Sequence, residues 1–144
     1  MWDVFRSSYF AEGLTDEDVH HIIGIAEEVT YEDGEPVVRR ADPNRDLFLV
    51  LEGVTVIEGE RGQVLARIGS GRLLGEIALI DDKPRSATVV SVGQTRLALI
   101  REQRLKELMQ QRPQMAVHLL RNIGRTLAER LRDANLQIEM LEDT

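Results

Sequence analysis

The pattern of apolar and polar positions changes texture twice along the chain. Early on, Val19, Ile22, Ile23 and Ala26 recur at helical spacing. Leu14-Thr15-Asp16-Glu17-Asp18 supplies the start of that helix, with Thr15 as N-cap, acids in the first turn and Leu14 able to staple onto Val19. From Val29 to Glu102 the helical period gives way to short β-branched runs. Residues 37–38, 47–51, 54–57, 64–68, 88–90 and 96–100 are the expected strands. Asp33-Gly34, Asp42-Pro43-Asn44, Glu52-Gly53, Gly59-Glu60-Arg61-Gly62, Gly69-Ser70-Gly71 and Gly93-Gln94 punctuate them as turns. Many short strands joined by glycine turns predict a small β-barrel or roll. Trp2 and Phe5 are placed to anchor the N-terminal segment on that body.

From Arg101 the pattern is helical again. Leu105, Leu108 and Met109 make a short helix that Pro113 ends, and proline is accepted in the first turn of the next one. In that next helix Val117, Leu120, Gly124, Leu127, Leu131, Ala134, Ile138 and Leu141 alternate spacings of three and four, a heptad seam. Ala116, Leu119 and Ile123 form a neighbouring stripe suited to covering the roll. One stripe for its own body and another left over predicts a homodimer through the seam. The expected division is a β-roll with its short helices over 1–112 and a dimerisation helix over 113–144.

Composition narrows the field. A chain of 144 residues is one domain's worth. Residues 1–100 carry 10 basic and 18 acidic side chains, residues 101–144 carry 8 and 7, and the whole is −7. An acidic body is a poor electrostatic match for a nucleic-acid backbone. With no cysteine there are no disulfides or thiolate metal sites. No apolar stretch approaches a membrane span, and the first residues lack a signal peptide's basic start and apolar run, so a cytoplasmic protein is expected.

Candidate chemistry concentrates in Leu74-Gly75-Glu76-Ile77-Ala78-Leu79-Ile80-Asp81-Asp82-Lys83-Pro84-Arg85-Ser86-Ala87-Thr88. Gly75 lets backbone come close to a ligand. The Glu76 carboxylate only accepts hydrogen bonds, which suits a hydroxyl donor. Arg85 offers a planar fork of donors matched to phosphate oxygens. Residues 76–80 can form one or two helical turns whose free N–H groups would face an anion. The plain alternative is a surface loop in which Glu76 and Arg85 pair with each other. Elsewhere, His20 and His21 are neighbours about 100° apart on a helix and cannot chelate together. Asp81-Asp82 has no third ligand nearby, and no set of His and Asp suits metal-assisted hydrolysis. No metal, cofactor or catalysis is expected.

The 75–88 run resembles the phosphate-binding cassette of cyclic-nucleotide-binding domains. It meets the family pattern at Gly75, Glu76, Ile77, Ala78, Leu79, Pro84, Arg85, Ser86, Ala87 and Thr88. It departs elsewhere: Ala41 stands where many members have glycine, and Leu73-Leu74 where an aromatic often precedes Gly-Glu. The resemblance implies an α+β fold: an antiparallel, jelly-roll-like β-roll with an N-terminal helical segment, a short phosphate-binding helix and a long C-terminal helix. It implies a ligand, cyclic AMP or cyclic GMP, with Glu76 accepting from the ribose 2′-hydroxyl and Arg85 clamping the cyclic phosphate. Gly75, Ile77 and Ala78 would line the ligand, Ser86 and the Ala87 N–H would complete the phosphate cradle, and Ser86 leaves the base preference open. The stretch 127–135 is similar to the dimerisation helix of catabolite-activator-like regulators. Along that frame the purine-contacting positions fall on Ala134 and Asn135, of which Asn135 has the polar amide. With no winged helix-turn-helix in the chain, no DNA binding is expected of it. Two other readings stay open: a dimerisation module that binds no nucleotide, and the effector half of a longer regulator.

Overall fold

The structure is a computed structural model, described for residues 1–142; Asp143 and Thr144, the end of the expected C-terminal helix, lie outside the described residues. Helix α1 (Trp2–Ser7) leads through a 3-10 turn (Tyr9–Ala11) to α2 (Asp16–Ile25). The strands follow as β1 (Ala26–Tyr31), β2 (Pro36–Val38), β3 (Leu47–Glu58), β4 (Val64–Gly69), β5 (Leu73–Leu74) and β6 (Thr88–Ile100). A second 3-10 turn (Glu76–Leu79) sits between β5 and β6, and α3 (Glu102–Gln111) and α4 (Pro113–Glu142) close the chain. All pairings are antiparallel, in the order β1-β6-β3-β4, with β2 on β6 and β5 on β3, so the expected roll is an open six-stranded sheet.

The helix starts as its sequence requires. The Thr15 side chain accepts from the Asp18 N–H, and Asp18 answers on the Thr15 N–H, a complete capping box. The helix stops one residue earlier than the periodicity predicted. Ala26 opens β1, where it lies opposite Ile100 and is claimed by strand pairing. β1 itself was not among the expected strands, because Glu27 and Glu28 break its apolar pattern. Those carboxylates face outward and pair with Arg101 and Arg96.

Two expected breaks are bridged. With a shift in register on either side of Glu52, residues 47–51 and 54–57 join into β3 through Gly53, at φ 104°. A Cβ there would stand 2.8 Å from the Gln94 carbonyl oxygen, so the close crossing needs glycine. Residues 88–90 and 96–100 likewise join into β6 across Gly93.

β3 shows why a continuous apolar run was needed. Leu47, Leu49 and Leu51 point into a core shared with Phe5, Phe10, Ile22, Leu105, Leu119 and Ile123. Phe48 and Val50 point the other way, into the roll interior with Val38, Ile68, Leu74, Val89 and Leu97. α4 divides along its length. Met115, Leu119, Asn122 and Ile123 are buried, and the Asn122 amide donates to the Phe10 and Glu12 carbonyls at 2.9 and 2.8 Å. Beyond Leu127 every described residue is exposed. At the α3–α4 joint Arg112 donates to Asp18 at 2.8 Å, tying the joint to the start of α2.

Among the described residues no helix is long and apolar enough to cross a membrane, and no group of His, Asp and Glu could hold a metal ion.

Candidate functional site

A cavity of about 490 Å³ opens on the roll interior and is walled by β4, β5, the 75–79 turn, the 81–87 loop and one residue of α4. Gly75, Glu76, Ile77, Ala78, Arg85, Ser86 and Ala87 all line it, so seven of the eight expected ligand residues meet at one place. The eighth does not join them: Asn135 is exposed on α4, more than a helical turn past the α4 residue that reaches the cavity, and does not line it.

Gly75 occupies the left-handed region at φ 79° and caps the 3-10 turn. A Cβ there would fall 2.2 Å from Arg85 Nη1 and 2.9 Å from the Asp46 carbonyl oxygen. The space that glycine leaves is therefore filled by the Arg85 guanidinium. Arg85 donates through Nη2 to the Asp46 carbonyl and to Asn44 Oδ1 (3.3 Å), and through Nη1 to the Gly75 carbonyl at 3.5 Å. Its backbone is held too: the Ala41 N–H donates to the Arg85 carbonyl and the Arg85 N–H to the Asp42 carbonyl. Ala41 adopts φ 67°, the one positive φ outside glycine among the described residues. That conformation explains why glycine suits the position.

Glu76 is 5% exposed, and its carboxylate lies 3.6 Å from Arg130 Nη1. It does not pair with Arg85, so the plain surface-loop reading does not describe this site. Burial raises the Glu76 carboxyl above the usual carboxylate range, against its own backbone N–H and the charges of Arg130, Arg72 and Arg85. Burial also lowers the Arg85 guanidinium, while Asp42 and Asp46 pull the other way. Ala78 is buried and its carbonyl accepts from Arg45. Arg45 also pairs with Glu102 at 2.9 Å and Asp82 at 3.6 Å, so one guanidinium ties the cassette turn to the first turn of α3.

Of the residues around the site that escaped the sequence reading, three matter most. Arg130 was the most legible of them: it continues the buried stripe of Leu119, Ile123 and Leu127 where an apolar residue would be expected. Arg45 has no sequence signal beyond its place in a polar loop. Tyr9 is the third: its hydroxyl is buried with no hydrogen-bond partner among the described residues. Burial first, then the charge of Glu76, pushes its phenol well above the usual tyrosine range.

The arrangement presents arginines at 72, 85 and 130 around one buried carboxylate, in a body of net charge −7. The chemistry of such a cavity is suited to a ligand that combines an anionic group with a hydroxyl donor. Residues 28–112 match the family model of the cyclic nucleotide-binding domain. The chain is 33% identical over 141 residues to the cyclic AMP receptor protein of Thermus thermophilus, covering 94% of this chain and 63% of that one. It is 35% identical over 89 residues to the cAMP-dependent protein kinase regulatory subunit of Dictyostelium discoideum, covering 57% of this chain and 27% of that one. The crystal structure of the N-terminal domain of a transcriptional regulator from Streptomyces coelicolor A3(2) superposes with a TM-score of 0.76 at 30% identity, covering 88% of this chain and 94% of that one. The chain thus spans less than two thirds of the length of these curated relatives.

Proposed function

The chain belongs to the cyclic nucleotide-binding domain family, and from that premise we propose that it is a non-catalytic sensor of cyclic AMP, with cyclic GMP as the alternative ligand. The observation that carries the reading is the meeting of Glu76 and Arg85 in one cavity, each already held in place. Arg85 rests on neutral acceptors, the Asp46 and Gly75 carbonyls and the Asn44 amide. A cyclic phosphate would offer it a charged acceptor instead, and charge-assisted bonds are the stronger kind. Ser86 and the Ala87 N–H complete the phosphate cradle, while Glu76 accepts from the ribose 2′-hydroxyl. Gly75, Ile77 and Ala78 form the floor.

The reading extends to assembly and place. Val117, Leu120, Leu131, Ile138 and Leu141 are exposed on α4, as a seam awaiting a second copy requires. Leu127 differs, since it packs partly against its own core and serves both faces. In such a dimer Asn135 lies beside the seam, where it can serve a partner's cavity rather than its own. The functional units are the roll with its short helices, 1–112, and the helix that follows, in a protein acting in the cytoplasm. One fact favours a second reading of the output: the chain spans only part of its relatives, so the sensor can be the effector half of a longer regulator.

Calorimetric titration with cyclic AMP and cyclic GMP tests the binding reading. Heat from neither at millimolar concentration would leave a dimerisation module without a nucleotide. Leu131→Asp tests the seam, since it would bury an unpaired charge and should sediment as a monomer. An unchanged dimer would reject the seam.

A further inference from the structure

We propose that the Tyr9 hydroxyl positions Glu76 for the ribose: when a ligand hydroxyl takes one oxygen of the carboxylate, the phenol donates to the other. The inference rests on the binding reading above and adds a residue to it from outside the cassette.

One orphaned donor and one carboxylate with acceptor sites to spare carry the argument. The Tyr9 hydroxyl is a buried donor with no partner among the described residues. A buried polar group left unpaired carries the desolvation cost of that group, so such groups are rare and call for a role. The Glu76 carboxylate is also buried, and its ion pair to Arg130 spans 3.6 Å, longer than a charge-assisted hydrogen bond. An ionised carboxylate has about four acceptor sites, so it retains room for a second donor.

The elements that hold the two groups pack together. Tyr9 lies on the 3-10 turn that α4 grips through Asn122, and Arg130 extends from the same helix to Glu76. Tyr9, Leu79 at the end of the cassette turn, and Leu127 one turn before Arg130 rest on one core. The charge acting most strongly on the phenol is that of Glu76, followed by Arg130 and Arg72. Tyr9 does not itself line the cavity, so a ligand entering there would not displace its ring.

The test is Tyr9→Phe, which keeps the ring and its packing. Dissociation constants for cyclic AMP and 2′-deoxy cyclic AMP are measured on wild type and variant, with melting of the ligand-free proteins. The variant should melt no lower than wild type and bind cyclic AMP roughly 3–10-fold more weakly. Its affinity for the 2′-deoxy nucleotide should be unchanged, so discrimination between the two shrinks by that same factor. Equal losses for both nucleotides, or no loss for either, would overturn the inference and leave the binding reading standing. A wild type that binds neither nucleotide would overturn both.

Discussion

Replacing Gly75 by alanine is the sharpest perturbation available, because its effect separates into two parts. The first is backbone: a residue with a Cβ held at φ 79° is strained by about 1–2 kcal/mol, offset in part by the smaller entropy it loses on folding. The second is Arg85. The new Cβ would stand 2.2 Å from Nη1, so the half-buried guanidinium must leave the Gly75 and Asp46 carbonyls. Losing those charge-assisted bonds costs about 1.5 kcal/mol, the low end of the range, because solvent reaches the group. Gly75→Ala should therefore destabilise by about 2.5–3.5 kcal/mol. Where Arg85 is already alanine, only the strain and the 2.9 Å approach to the Asp46 oxygen remain, about 1–2 kcal/mol. At about 3 °C per kcal/mol for a chain this size, melting should fall by roughly 8–10 °C in the first background and roughly 3–6 °C in the second. Calorimetric melting of the four proteins of this double-mutant cycle measures the difference directly. The same loss in both backgrounds would refute the idea that Gly75 is there to admit Arg85.

Three further outcomes are expected. Glu76→Gln should raise ligand-free stability near pH 7 while weakening cyclic nucleotide binding. The native carboxyl is raised, so Glu76 favours folding most below its ordinary value near 4.5 and progressively less as pH rises through its native value; the gap in melting temperature between variant and wild type should thus widen from pH 4.5 to 8, and a constant gap would contradict it. For Asp18 burial pushes upward, but Arg112 and the Thr15 cap outweigh it and the native value is lowered. Asp18 therefore stabilises above its ordinary value near 3.8 and ceases to do so as pH falls through the native value; Asp18→Asn should cost about 2–3 kcal/mol in urea unfolding at pH 7 and almost nothing at pH 2, and an equal cost at both would refute the assignment. Ala41→Gly should stabilise by about 0.5–1 kcal/mol in the same assay, because it relieves φ 67°; a loss would mean the strain is absent.

What could be read in advance follows from how local each cause is. The capping box at Thr15 and Asp18, the cassette from Gly75 to Ala87 and the stripe of Leu119 and Ile123 are written in residues a few positions apart. Partners distant in sequence left no such trace. Arg130 meets Glu76 from 54 positions away, Asn122 holds the carbonyl of Phe10, and Arg45 reaches Ala78 across the roll. Gly75 was expected to let backbone come close to a ligand, and in the structure what approaches it is this chain's own arginine. β1 was hidden because two adjacent glutamates, exposed on opposite sides of the strand, interrupt its apolar pattern, and their arginine partners lie on β6 and beside it. Asn135 could be placed relative to the seam, but it does not line the cavity of its own chain, and no local pattern signals that.

The burial of β3 on both faces has a mechanical consequence. Leu73 and Leu74, which pair with Leu49 and Phe48, repeat its division, one seated in each core immediately before Gly75. The cassette is thus nailed at its entry to two separate foundations, and neither can shift without the other. Its exit is held differently: Asp82, Lys83, Pro84 and Ser86 are exposed, and the backbone bonds of Arg85 to Ala41 and Asp42 stand in for a packed core. The stretch freest to give is therefore 82–86, where hydrogen bonds rather than a packed core resist displacement.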